Sequence, residues 1–207
     1  MSSDVPEPIP EAKEPKRERG KLRVAALLNA GVELFSQKGY EATTMTEIAQ
    51  LAGASIGSLY QFFPSKEALA EALFNRYAER WVELLDDVAQ RAPTASAAEL
   101  ADMLVDTILA VRKEREAKIA LSESIAVIVE RRKPMRHITR GKIAQILLRA
   151  NAELSDEQAT ASAAVIVEVM KSLPGLTQTG NDNVGAQPFI AEARTMLAIY
   201  ITHIAGR

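Results

Sequence analysis

The chain reads as all-α, and three observations predict it. Apolar residues recur at three- and four-residue spacing from about Lys21 onward, the signature of helices buried on one face. Alternation of the strand type never persists for six residues. Helix start and stop signals punctuate the chain at intervals, giving about nine helices. With 207 residues, the chain is long enough to bury a sizeable core as one or two domains.

Residues 1–20 carry four of the nine prolines and nine charges with almost nothing apolar, the composition of a disordered arm. The first helix is expected from about Lys21 to Lys38, with Leu27, Leu28, Gly31, Leu34 and Phe35 as its stripe and Gly39 as a left-handed cap. Thr44 and Glu47 stand at capping-box spacing, so a second helix begins near Met45 and ends at Gly53. A third runs from about Ile56 to Phe63, where Pro64 stops it. Ser65 caps the fourth, whose stripe is Leu69, Leu73, Tyr77, Trp81, Leu84 and Val88. A Ser96–Glu99 box opens a helix to about Arg115. Helices over 117–131 and 135–150 are separated at Lys133-Pro134. Ser155 and Gln158 open a helix reaching Leu173-Pro174-Gly175, and a polar loop over 177–187 precedes a last helix over 188–205.

The segment Met45–Pro64 has the length of a helix-turn-helix. Ala49 is small where the helices would cross, and Gly53 tolerates positive φ at the turn. Ile48, Ala52, Ala54, Leu59 and Phe62 supply the apolar inward positions. The second helix of such a unit lies in the DNA major groove. Its outward candidates are Ser55, Gly57, Ser58 and Gln61, which bring hydroxyl and amide groups to base edges. No Arg or Lys stands on it, so bidentate guanine readout is unavailable from this helix.

Gly39-Tyr40, Thr43-Thr44, Ile48-Ala49, Ala52-Gly53, Leu59-Tyr60, Phe63 and Lys66-Glu67-Ala68-Leu69 resemble the N-terminal domain of TetR-family transcriptional regulators over about residues 21–75. The resemblance implies an N-terminal three-helix DNA-binding domain over 21–66 and a helical effector-binding and dimerisation domain over 67–207. It implies phosphate contacts from Thr44 or Thr46, from Tyr60 and from Lys66, roles suited to hydroxyls, helix starts and a lysine. Phe62 departs from the family, which often has Tyr or His there, and one phosphate contact goes with it. The basic run Lys16, Arg17, Arg19, Lys21 and Arg23 suits an arm entering the adjacent minor groove.

Similar regulators dimerise through their last two helices. Here Val165, Val169, Leu173, Met196, Ile199, Tyr200 and Ile204 make those helices apolar on more than one face, as a dimer interface requires. The family's effector pocket would fall among the middle helices, with Trp81, Met103, Thr107, Leu121, Ser124, Ile125 and His137 as candidate lining.

The composition is weighed against other functions. Cysteine is absent, so thiolate chemistry is excluded. The only histidines, His137 and His203, lie 66 positions apart without a metal-ligand motif. No phosphate loop or nucleophile elbow occurs, so neither catalysis nor a metal or other cofactor is expected. The longest charge-free run, the 18 residues from Ile48 to Ser65, contains two glycines and a proline and is no membrane span. No secretory leader is read in residues 1–23, so a cytoplasmic location is expected.

The formal charge of −2 argues against nucleic acid only as a total. Residues 16–66 hold seven basic and four acidic residues, a net of +3, and the rest of the chain holds −5. The reading is a homodimeric one-component regulator, a repressor released from a pseudopalindromic DNA operator by a small-molecule effector. An activator of the same fold, or a small-molecule binding protein with a vestigial DNA head, is the alternative.

Overall fold

A computed structural model describes residues 12, 18–117, 126–176 and 186–205, with backbone alone at 126–133, 174–176, 186 and 205. The described residues form helices and no strands. The helices are α1 (Glu18–Lys38), α2 (Met45–Leu51), α3 (Ile56–Phe62), α4 (Lys66–Arg91), α5 (Ala97–Ala110), α6 (Ala126–Ala150), α7 (Asp156–Leu176) and α8 (Ala186–Ala205). A single 3-10 turn, Ala92–Thr94, follows α4, and residues 112–117 are also helical. None of these helices is long and apolar enough to cross a membrane.

The chain divides into two compact units, Met1–Tyr77 with Lys113–Arg131, and Ala78–Arg112 with Arg132–Arg207. The division falls inside α4 rather than at the expected 66/67 boundary. Its cause is the apolar face of the first turns of α4. Leu69, Ala70, Leu73 and Phe74 complete the core of the first unit, together with Leu27, Phe35, Ile48, Leu59 and Phe63. Ala117 joins that core from the later segment. Gly31 is the point of closest approach. A Cβ there would stand 2.9 Å from Leu69 Cδ2 and 3.0 Å from Leu73 Cδ1, so α1 and α4 meet where a side chain is missing.

In the second unit α5 packs chiefly on α8 and also on α7, and Leu100, Leu104, Ile108, Ile166, Leu197 and Ile201 on these helices are buried. Arg194 of α8 donates to Asp102 at 2.9 Å and to Asp106, an ion-pair cluster along the rim of that packing. Trp81 donates its indole N–H to Thr139 Oγ1 at 3.0 Å, which fixes α6 against the second half of α4. Leu85 rather than Leu84 carries the buried stripe of α4 onward.

Three helix limits differ from those the sequence predicts. Pro134 lies inside α6, which runs unbroken from Ala126 to Ala150. A proline removes one N–H donor, and the loss of one hydrogen bond does not end this 25-residue helix. Pro174 likewise falls within the last turn of α7, where few hydrogen bonds remain to break. The helix opened by Ser96 ends at Ala110 and not near Arg115, because the backbone leaves the helical region at Val111.

The helix starts agree with the capping signals. Thr44–Glu47 and Ser96–Glu99 form reciprocal capping boxes. Ser155 Oγ accepts the Gln158 N–H while Gln158 accepts the Ser155 N–H.

Candidate nucleic-acid interface

The site begins at the α1–α2 turn. Gly39 adopts φ +80°, turning the chain back after Phe35. Thr43 Oγ1 donates to the Gly39 carbonyl at 2.7 Å. Thr44 is extended (φ −108°, ψ 152°), and its hydroxyl accepts the Glu47 N–H at 3.3 Å. Glu47 Oε2 accepts the Thr44 N–H at 2.9 Å, and Lys38 pairs with Glu47 Oε1. Hydrogen bonds from Lys38 and Thr44 pull the Glu47 carboxyl from its ordinary 4.5 down to about 2.

The α2–α3 turn follows. Gly53 adopts φ +62°, the one conformation in this turn that L side chains avoid. The chain then closes back on α2, Gly53 N donating to Gln50 O at 3.1 Å and Ala54 N to Ala49 O at 2.9 Å. Ser55 caps α3 by accepting the Ser58 N–H at 3.2 Å. Ile48, Ala49, Leu59 and Phe63 are buried between the helices, so Phe63 takes the inward position while Phe62 is only partly covered.

The result is a polar ledge. Thr44, Thr46, Ser55, Gly57, Tyr60 and Gln61 are exposed, and an added Cβ on Gly57 would meet nothing within 4 Å. Ile56, 40% exposed, also stands on the first turn of α3. It is not among the outward candidates of the sequence, where its three-residue spacing to Leu59 is that of a buried stripe. An apolar residue there suits the methyl group of thymine.

One of the expected base contacts is turned inward. Ser58 is buried at 8% exposure, and its hydroxyl accepts from Arg23 Nη1 at 3.3 Å, so it does not face outward. The cause is tertiary, since α1 covers that side of α3. A guanidinium is thereby set beside α3, which has no basic residue of its own. Lys66 reaches the carbonyls of Tyr40 at 3.0 Å, Thr43 at 3.1 Å and Glu41 at 3.5 Å, and lies 4.2 Å over the Tyr40 ring. The ammonium is half-buried, and these carbonyls hold it at the α1–α2 turn.

The Tyr40 hydroxyl donates to Glu67 at 2.7 Å. Burial first, and then this bond, raise its pKa, while the bond lowers that of Glu67.

Arg19, Lys21 and Arg23 are exposed on the first turns of α1, which starts at Glu18, so this part of the basic run is helical rather than an unstructured arm. Lys21 pairs with Glu18 at 2.8 Å. Lys16 and Arg17 lie outside the described residues.

In the second unit, Met103 and Thr107 share an open cavity of about 230 Å³ with Leu84, Asp87, Val88, Arg91, Asp106 and Ala110. Trp81 is buried in hydrogen-bonded packing, and His137 is exposed on α6, so neither lines this cavity. Leu121, Ser124 and Ile125 lie outside the described residues.

The expected interface stripe splits in two. Val165, Met196 and Ile199 are exposed, and Val169 and Tyr200 are partly so, with the Tyr200 hydroxyl donating to Ser162 at 3.2 Å. Leu173 and Ile204 are buried in their own unit and are core rather than surface. No group of three metal-ligating side chains occurs among the described residues.

Residues 27–73 match the family of bacterial regulatory proteins, tetR family. The HTH-type transcriptional repressor ComR of Escherichia coli K12 is 38% identical over 69 residues, covering 32% of this chain and 33% of that protein. The HTH-type transcriptional regulator RutR of the same strain is 42% identical over 57 residues, covering 28% and 27%. The matches thus span a third or less of these relatives' length. In fold, the chain is similar to a transcriptional regulator of the TerR/AcrR family from Aquifex aeolicus VF5, with a TM-score of 0.69 at 18% identity over 86% of this chain and 99% of that one.

Proposed function

Because this chain belongs to the TetR family of bacterial transcriptional regulators, we propose that it is a homodimeric one-component repressor whose α2–α3 unit reads a pseudopalindromic DNA operator. The observation that carries the reading is the ledge of α3. A capped helix leaves a left-handed turn at Gly53 and presents Ser55, Ile56, Gly57, Tyr60 and Gln61 to solvent above a sealed apolar underside.

Each group has a part in the docking. Gln61 and Ser55 offer donors and acceptors to base edges. Gly57 lets the backbone come close to the groove, since nothing projects from it. Thr44, Thr46 and Tyr60 position the head on phosphates, and Arg19, Lys21 and Arg23 supply the charge that α3 lacks. Arg17, beyond the described residues, extends that charge.

Two copies of the chain associate through the exposed face made by Val165, Val169, Met196, Ile199 and Tyr200 on α7 and α8. Such a two-fold pair places two recognition helices on two half-sites about one turn of DNA apart. The cavity beside Met103 and Thr107 receives a small effector. The effector releases DNA only by binding one conformation of the dimer better than the other, and its differential affinity sets the size of the shift. The name of ComR as a repressor supports repression as the output.

Selection of binding duplexes from a randomised library by the full chain, followed by footprinting, tests the reading. Two inverted half-sites protected by a dimer are expected. Recovery of no duplex above background, or of an asymmetric site bound by a monomer, overturns it.

A further inference from the structure

Helix α3 sorts its residues by face. At about 100° per residue, Ile56, Tyr60, Gly57 and Gln61 follow one another over an arc of about 140°, while Ser58, Phe62 and Leu59 fill the opposite side. Burial follows the same division. The first four are exposed, Ser58 and Leu59 are buried, and Phe62 is half-covered. Arg23 of α1 lies against Ser58 on the inner side. The outward arc changes character across its width. Gln61 brings an amide to one edge. Gly57 leaves the middle bare, with nothing within 4 Å of an added Cβ. Ile56 stands at the other edge, with Tyr60 beside it one turn on.

Ile56 has no packing task. It is 40% exposed. Among the described residues, Ala54 and Phe62 pack against the core of the first unit, and Ile56 belongs neither to that core nor to the residues packed on it. Its side chain also has no hydrogen-bonding atom. Pressed on a donor or acceptor of a base, it would strip that group of water and offer no partner in return. The major groove holds one apolar feature that it can cover without this cost, the C5-methyl group of thymine.

We propose that Ile56 is a specificity-determining residue, which selects a thymine in each half-site by packing on its C5-methyl group. The bare backbone at Gly57 lets so short a side chain reach the base, and β-branching restricts Ile56 at χ1, so the contact is formed with little loss of freedom. Gln61, at the far edge of the arc, meets a different base. The inference rests on the DNA reading proposed above and names one base in the site.

The test uses the full chain, the variants Ile56→Ser and Gln61→Ala, and the duplex selected by the wild-type chain. Deoxyuridine replaces each thymine of one half-site in turn, which removes the methyl group and keeps the hydrogen-bonding edge. One position is expected where the wild type binds about fourfold more weakly without the methyl, the effect of burying one such carbon. At that position Ile56→Ser is expected to bind thymine and deoxyuridine alike. Gln61→Ala, weaker on both, is expected to keep the difference. Urea unfolding of Ile56→Ser is expected to match the wild type, because the side chain lies outside the core.

A selected half-site without thymine, thymines that all tolerate loss of the methyl, or an equal loss in Ile56→Ser overturns the proposal while the DNA reading stands. A clear loss of stability in Ile56→Ser also overturns it, by making the side chain structural. Selection of no duplex by the wild-type chain overturns the function proposed above, and this inference falls with it.

Discussion

Gly53 and Gly57 are four residues apart, both are exposed, and an alanine methyl meets nothing within 4 Å at either. Packing therefore drops out of the comparison, and backbone conformation alone separates them. Gly53 has φ +62°, where an L side chain costs about 1–2 kcal/mol. That cost outweighs what alanine recovers by restricting the unfolded chain. Gly57 stands in the first turn of α3, where alanine is the better helix former by up to about 1 kcal/mol.

Gly53→Ala should thus destabilise and Gly57→Ala stabilise, with a gap of roughly 2 kcal/mol between them, about thirtyfold in the folding equilibrium. Urea unfolding followed by helical circular dichroism measures it. Binding to the selected duplex then separates folding from function. Gly57→Ala should bind DNA more weakly despite its greater stability, because the methyl stands where the groove comes close. A Gly53→Ala chain as stable as Gly57→Ala would refute the left-handed turn. A Gly57→Ala chain with wild-type affinity would refute the close approach.

Other outcomes are expected. The Glu47 carboxyl, lowered to about 2 in the folded chain, contributes stability that is complete above its ordinary 4.5 and is lost as pH falls through about 2. The stability gap between wild type and Glu47→Gln should therefore close between those values in acid unfolding curves. A gap independent of pH across that window would exclude the Lys38 pairing as its source. Ile199→Asp should yield monomers by light scattering with folding intact, whereas Ile204→Ala, in the core, should cost about 2–5 kcal/mol and leave association unchanged in the folded fraction. Trp81→Phe should cost about 1 kcal/mol by removing the donor to Thr139, and Thr139→Val should largely suppress that difference in a double-mutant cycle. Removal of residues 1–17 should weaken DNA binding and flatten its salt dependence, as measured by gel shift at several salt concentrations.

What the sequence made legible was local. The boxes at Thr44 and Ser96 act over three residues, and Gly39 and Gly53 act at one, so each could be read without a partner. The inward face of α2 and α3 was legible for the same reason. What was not legible depended on distant neighbours. Ser58 looks outward by its spacing, yet it is covered by Arg23 from 35 residues earlier. Lys66 looks like a surface cation, yet it finds carbonyls more than twenty residues back.

The faces of α7 and α8 show a related limit. Periodicity marks two apolar stripes but does not say which is turned inward, so Leu173 and Ile199 looked equivalent. Pro134 shows that a stop signal is a local cost, one that a 25-residue helix bears.

The chain order of the two units has a bearing on synthesis. The first unit is interrupted, its core receiving Ala117 from a segment made after residues 78–112 of the second unit. A nascent chain that has reached only Tyr77 holds the whole helix-turn-helix but not the full cover of its core. The head is therefore completed only once part of the body exists, and the two are bound to mature together. A fragment cut at Tyr77 for use as a minimal DNA-binding module would begin with an opening in its core where Ala117 packs.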